Sequence, residues 1–257
     1  MNNLPLNRPR GTSRQAIRIW GLLFVALGTA GQCILQNGYL GVGTSSGEEL
    51  LKLMENPDNL ALATVAIVLQ FVLACGVPIF SFLLVEGFLR TSSLKNYILR
   101  VAGVAVLSEI PFNLAMSGKW IDLDSRNPVF GMVLALVVLY LLRYYAGTSI
   151  KNILIKILVV VIAIFWVEML RIHDAAAVVV LVTVLWALRK KRTWQIFGGC
   201  AAMFLCTAFS LFYLAAPIMF LLVHFYNEEP GEDNKVVNYL AYPVLMLAIG
   251  LVGKYCF

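Results

Sequence analysis

The sequence predicts an all-α, polytopic membrane helical bundle of eight or nine transmembrane helices. Three observations predict it. Of 257 residues, 60% are apolar and only 13% are charged, against about 25% charged in a soluble domain, so there is too little polar surface to coat a water-soluble body. Apolar runs of about 20 residues, enough to cross the hydrocarbon core as a helix, recur along the whole chain. Strict apolar/polar alternation, the mark of a membrane barrel, is absent, and helices satisfy their own backbone in lipid.

Taken in order, Arg8, Arg10, Arg14 and Arg18 precede a first apolar run over 17–36. That run is too long for a signal-peptide core and lacks a small-residue cleavage site, so it reads as a retained span behind a short cytoplasmic tail, 1–16. An external loop over 37–60 follows, in which Leu50, Leu51, Leu53 and Met54 interleave with Glu48, Glu49, Glu55 and Asp58. This pattern predicts a short amphipathic helix on the outer interface. Further spans fall at 62–90, 95–116, 128–146, 150–169 and 174–189. The stretch 194–226 is too long for one ordinary span and reads either as two short helices broken near Tyr213 to Pro217 or as one tilted helix plus an interfacial piece. The last span is 236–256. There is no internal repeat and no soluble domain, so 1–257 is one integral membrane domain.

The net charge is +6, but the basic residues sit in short loops rather than on one face, which argues for topology control and against nucleic-acid binding. One set of helix ends carries fourteen Lys and Arg, including Arg90, Arg100, Arg143, Arg189 and Arg192; the alternate set carries Lys52, Lys119, Arg126 and Arg171. The richer set, with the N-terminus, is expected to face the cytoplasm. The side of the acidic loop Glu228–Asp233 stays open. Cys33, Cys75, Cys200, Cys206 and Cys256 show no zinc or disulfide spacing, no metal is expected, and neither a dinucleotide fingerprint nor a phosphate-binding loop appears.

Function must then sit among the helices, where ionisable groups are expensive. Glu86 and Arg90 share a helix face four residues apart and can pair, as a boundary salt bridge or as part of a site. Glu109 lies deep in its span beside Pro111, which removes a backbone donor, with Asn113 one turn on. Arg126 and Asn127 precede the fourth span; Glu168, Arg171, His173 and Asp174 bracket the fifth and sixth, as a solvated turn or a polar site. His224 reads as a packed or interfacial histidine.

The blocks VPIFSFLLVEGFLRT over 77–91 and VLSEIPFNLA over 106–115 closely resemble the TraX family, the conjugal-pilin acetylation proteins. The resemblance continues at Lys95-Asn96-Tyr97, at Asn127 and Phe130, at Asp174, and at 238–243. It implies a multi-helix membrane acyltransferase, distantly related in architecture to the acyltransferase-3 group, in the bacterial cytoplasmic membrane. Such a protein moves an acetyl group from cytoplasmic acetyl-CoA, or another acyl-CoA, to a membrane-associated or exported acceptor. The chemistry needs a base or a nucleophile, a role that suits histidine. Here the sequence departs from the family: the Asp-His pair of the first span aligns with Gly28 and Thr29, and the C-terminal histidine with Leu245. Cys33, one turn past Thr29, has nothing beside it in sequence to lower its pKa.

Three readings follow. The first is a divergent acyltransferase, with Glu109 or Asp174 as base, Glu86 assisting, and Arg90, Asn113, Arg126, Asn127 and His173 binding substrate. The second is a catalytically inactive relative that binds a lipid, a peptide or a partner membrane protein. The third is a small proton-coupled transporter using Glu86 and Glu109.

Overall fold

The computed structural model describes residues 11–42, 47–231 and 234–256; Arg8, Arg10, Glu232 and Asp233, and the side chains of Glu48 and Lys235, lie outside the described residues. Helix α1 (Arg14–Ala30) starts where the Ser13 hydroxyl accepts the Ala16 N–H at 3.3 Å. It therefore takes in the end of the expected 1–16 tail. It runs on as a π-helical segment, Gly31–Tyr39. The expected interfacial helix is α2 (Gly47–Leu53), which buries Leu50 and exposes Leu51. Asn56 caps the next helix and Pro57 occupies its first turn, a standard start signal, so α3 (Pro57–Ala74) begins before residue 62.

Span 62–90 is two helices, α3 and α4 (Gly76–Arg90), meeting at Cys75. Pro78 explains the break: without an N–H it cannot bond the Ala74 carbonyl, so α3 ends there. Helix α5 (Leu94–Ser117) continues unbroken through Pro111 and stops at Gly118, whose φ of 70° is a left-handed cap. Helices α6 (Pro128–Tyr144), α7 (Ile150–Met169) and α8 (Ala175–Ala187) follow. The ambiguous stretch 194–226 becomes α9 (Arg192–Cys206), two 3-10 turns at Leu211–Leu214 and Ala216–Met219, and α10 (Phe220–His224). The break runs over 207–219, taking in the expected Tyr213 to Pro217 but opening already after Cys206. Helix α11 (Lys235–Cys256) ends the described chain. No β-strand occurs among the described residues, only isolated bridges.

Five stretches of helix are long and apolar enough to cross a membrane: α1 with its π segment, α3 with α4, α5, α7 and α11; α6 and α8 are apolar but shorter, at 17 and 13 residues. The chain alternates between two ends of the bundle. At one end Thr12 pairs with Tyr226, and Arg100 sits over the Tyr239 ring at 5.9 Å; we call it the arginine end. At the opposite end Lys254 sits over Trp120.

Small residues let the helices approach. A Cβ on Gly28 would lie 2.3 Å from the Leu73 Cβ, and one on Gly250 2.8 Å from the Ala115 nitrogen, so α1 meets α3, and α11 meets α5, almost backbone to backbone. Helix α8 is the bundle's inner stave, with nine of its thirteen residues buried, whereas α7 buries only Val167. Ile157, Val161 and Phe165 of α7 face outward. A helix apolar all round needs an apolar neighbour on every side; α8 finds it in the other helices, and α7 leaves most of its apolar surface outward.

Candidate functional site

Lined by α1, α4, α5, α6, α8, α11 and the end of α3 is a cavity of about 470 Å³. Arg14, Arg18, Arg90 and Arg100 line it at the arginine end, together with Ser92, Tyr97 and Tyr239. Its middle is apolar, walled by Val25, Phe80, Leu84, Val104 and Met132. Thr29, Phe112, Met116, His173, Asp174 and Tyr242 close the far end.

The far end is built where the short helices α6 and α8 begin. Their preceding loops are clipped together: the Arg126 N–H donates to the Arg171 carbonyl at 2.8 Å, and the His173 N–H to the Arg126 carbonyl at 2.9 Å. Arg171 and Asp174 both adopt left-handed backbone, with φ of 52° and 57°. Such residues cost about 1–3 kcal/mol and persist where surrounding contacts enforce them, often at functional sites. Here the tight 171–174 turn presents His173 and Asp174 side by side, Nε2 to Oδ2 at 3.6 Å. The Tyr213 hydroxyl donates to Asp174 Oδ1, and the His173 ring lies against Phe112 at 6.0 Å between centroids. The Asp174 carboxylate thus stands beside Nε2, just beyond hydrogen-bond distance, and is itself held from behind, so Nδ1 is the ring nitrogen not facing Asp174.

Asn127 is the hub that holds this end together. It is fully buried. Its backbone N–H donates to Glu109 Oε2 at 3.1 Å, and its side-chain amide donates to the Ala105 carbonyl and the Ser108 hydroxyl. Its Oδ1 accepts from the Val129 N–H at 3.0 Å and from the Tyr242 hydroxyl at 3.2 Å. α5, α6 and α11 are thereby tied at one residue, each bond contributing about 1 kcal/mol.

At the arginine end the charges form a closed cluster. Arg90 Nε donates to Glu86 at 2.9 Å, Arg192 approaches Glu86 at 3.9 Å, and Glu228 lies 3.7 Å from Arg90 and 3.5 Å from Arg192. The Arg192 guanidinium stacks over Phe82 and Tyr226. The Tyr226 hydroxyl donates to Glu86 Oε2 at 3.4 Å.

Of the residues singled out in the sequence, His173, Asp174 and Arg90 line the cavity. Asn127 and Glu109 stand behind its far wall, bonded to each other. Arg126 is exposed and contributes its backbone to the clip; Arg171 pairs with Asp124 at 2.6 Å on the surface. Glu86 sits in the ion cluster, away from Asp174. Asn113 is buried, and its Oδ1 has no partner. His224 is exposed against Phe225. Sequence reasoning used Arg14, Arg18, Arg100 and Arg192 only as topology markers and passed over Tyr242 and Tyr213. The first group carried a signal, four arginines on the same set of helix ends; Tyr213, thirty-nine residues from Asp174, carried none.

The resemblance puts the family's Asp-His pair at Gly28 and Thr29. Gly28 is pressed against Leu73, with no room for a side chain, while Thr29 faces the cavity with its hydroxyl unpartnered. Searches of the curated proteins and of the solved structures give no match. The family model described as TraX protein matches residues 56–253. That match covers 198 of the 257 residues and takes in Arg90, Asn127, His173, Asp174 and Tyr242; the chain belongs to the TraX family.

Proposed function

We propose that this protein transfers an acyl group from an acyl-CoA to an acceptor at the far end of the cavity, with His173 as general base. The observation that carries the reading is the cavity itself: arginines at one end, an imidazole–carboxylate pair at the other, and an apolar passage between. Arg14, Arg18, Arg90 and Arg100 suit the phosphates of a coenzyme A nucleotide. The apolar middle suits the narrow, mostly uncharged pantetheine arm, whose thioester would reach His173.

In this mechanism the acceptor gives its proton to His173 Nδ1 as its oxygen or nitrogen bonds to the thioester carbonyl carbon. Collapse of the adduct breaks the carbon–sulfur bond, and the departing thiolate takes the proton back from the imidazole. Asp174, braced by Tyr213, stabilises the imidazolium in between. Glu86 acts at a distance, holding Arg90 at the mouth, and Glu109 holds the α6 start through Asn127. A single histidine on the α7–α8 turn thus stands in for the pair the resemblance places on α1.

The same reading makes the protein multi-pass in the bacterial cytoplasmic membrane, with the arginine end and the N-terminus in the cytoplasm, in keeping with the Lys and Arg bias. The alternation of the chain between the two ends supports nine passes, counting α6, α8, α9 and the broken return over 207–226. The test is thiol release from acetyl-CoA by the full chain in lipid nanodiscs. His173→Ala should lower turnover at least about 100-fold with an unchanged melting curve. Full activity in that variant overturns the assignment, and no turnover in the wild type with any acceptor favours the inactive, binding relative.

A further inference from the structure

The cavity ends against a second polar group of residues that the acyl-transfer reading leaves without a task. On α1 and its π-helical segment Thr29, Gln32 and Gln36 are buried, at 1%, 3% and 0% exposure, with Asn37 beside them; Asn113 on α5 is at 3%. The Gln70 amide on α3 donates to Gln32, the Gln32 amide to Asn37 at 3.5 Å, and the Asn37 amide to the Met116 carbonyl at 2.8 Å. Thr29 and Met116 are themselves cavity wall. These amides therefore adjoin the closed end of the cavity.

Four polar atoms here lack any partner although they are buried: both side-chain heteroatoms of Gln36, the Asn113 Oδ1 and the Thr29 hydroxyl. Buried polar atoms in native proteins are nearly always bonded, and those that are not call for a water or a ligand. The π-helical geometry adds to the case, because such segments occur often at functional sites.

We propose that these residues form a binding site for an uncharged polyhydroxyl group, the acceptor side of the cavity. Side-chain amides offer donors and an acceptor together, matching hydroxyls, which need both. None of the six side chains is charged. Within the group a protonated amine meets no counter-ion and a phosphate no cation, and the Asp174 carboxylate at the same end of the cavity is already engaged by His173 and Tyr213, so a hydroxyl acceptor fits this group better than a cationic amine. That the site feeds acyl transfer rests on the acyl-transfer reading; that it holds a neutral polyhydroxyl does not.

The experiment is a thermal melt of the full chain in nanodiscs with methyl glucoside as the polyhydroxyl probe and glycinamide as the cationic one. Saturating glucoside should raise the midpoint by about 3 °C, glycinamide should not, and Gln36→Leu with Asn113→Leu together should remove the shift. In parallel, glucoside should accelerate thiol release from acetyl-CoA. No shift with glucoside, as for a site holding water alone, or a larger shift with glycinamide, overturns the proposal; both comparisons use the wild type and survive a misfolded variant. A glucoside shift without any thiol release leaves the binding site standing and removes the acyl-transfer reading. Thiol release lost in His173→Ala, with no melting shift from glucoside, does the reverse.

Discussion

Around Glu86, each of the two carboxylates lies within 4 Å of two guanidinium groups. In the amide group of Thr29, Gln32, Gln36, Asn37, Gln70 and Asn113, next to the other end of the cavity, no side chain is charged and several polar atoms have no partner at all. The first arrangement is closed: its charges answer one another, and removing one exposes the rest. The second is open, its hydrogen-bonding capacity left for something that the chain does not supply. Electrostatic cross-linking at the mouth holds the helix ends in place, and the unpaired amides sit where a ligand would complete them.

The comparison can be broken in four ways, from the largest expected effect to the smallest. Glu86→Ala should destabilise by about 3 kcal/mol, since it leaves the two guanidinium groups of Arg90 and Arg192 with only the exposed Glu228 to answer them; a melting curve reads the loss, and an unchanged midpoint would make the cluster a surface ornament. Gly28→Asp should cost about 2 kcal/mol by overpacking α1 on Leu73, while Thr29→His, which points into the cavity, should melt like the wild type. Tyr213→Phe takes a donor from Asp174 and should cost about 1.5 kcal/mol, with a shifted pH profile of turnover as the readout that separates positioning from packing. Gln36→Leu should go the other way, stabilising by about 1 kcal/mol because it removes two unpaired buried atoms. A clear loss of stability in that variant would mean that Gln36 is already satisfied.

The helices were legible because lipid-facing segments declare themselves by length and composition. The ion cluster was half legible: Glu86 and Arg90 are four apart on one helix, but Arg192 and Glu228 reach it from more than a hundred residues away. At the far end, Asn127, His173 and Asp174 stood out as polar residues at the edges of apolar runs. Their meeting did not, because it depends on the backbone clip between two loops. Gln32, Gln36 and Gln70 were visible as amides inside apolar runs, yet attention to ionisable groups passed them by. The irregular return over 207–226 announced itself only as a run too long for one helix. Its purpose, bringing Tyr213 to Asp174 and Tyr226 to Glu86, belongs to the fold alone.

The π-helical segment has a further consequence, for how this chain tolerates length change. A π turn holds about one residue more than an α turn, so Gly31–Tyr39 carries a spare residue between α1 and everything after it. Deleting one residue there would let the segment relax to ordinary α-helix, which absorbs the loss and leaves the positions beyond it with nearly the same bearing. The same deletion within Arg14–Ala30, where the helix is ordinary α, would turn every later position by about 100°. The π segment is thus where the first span tolerates a shorter chain.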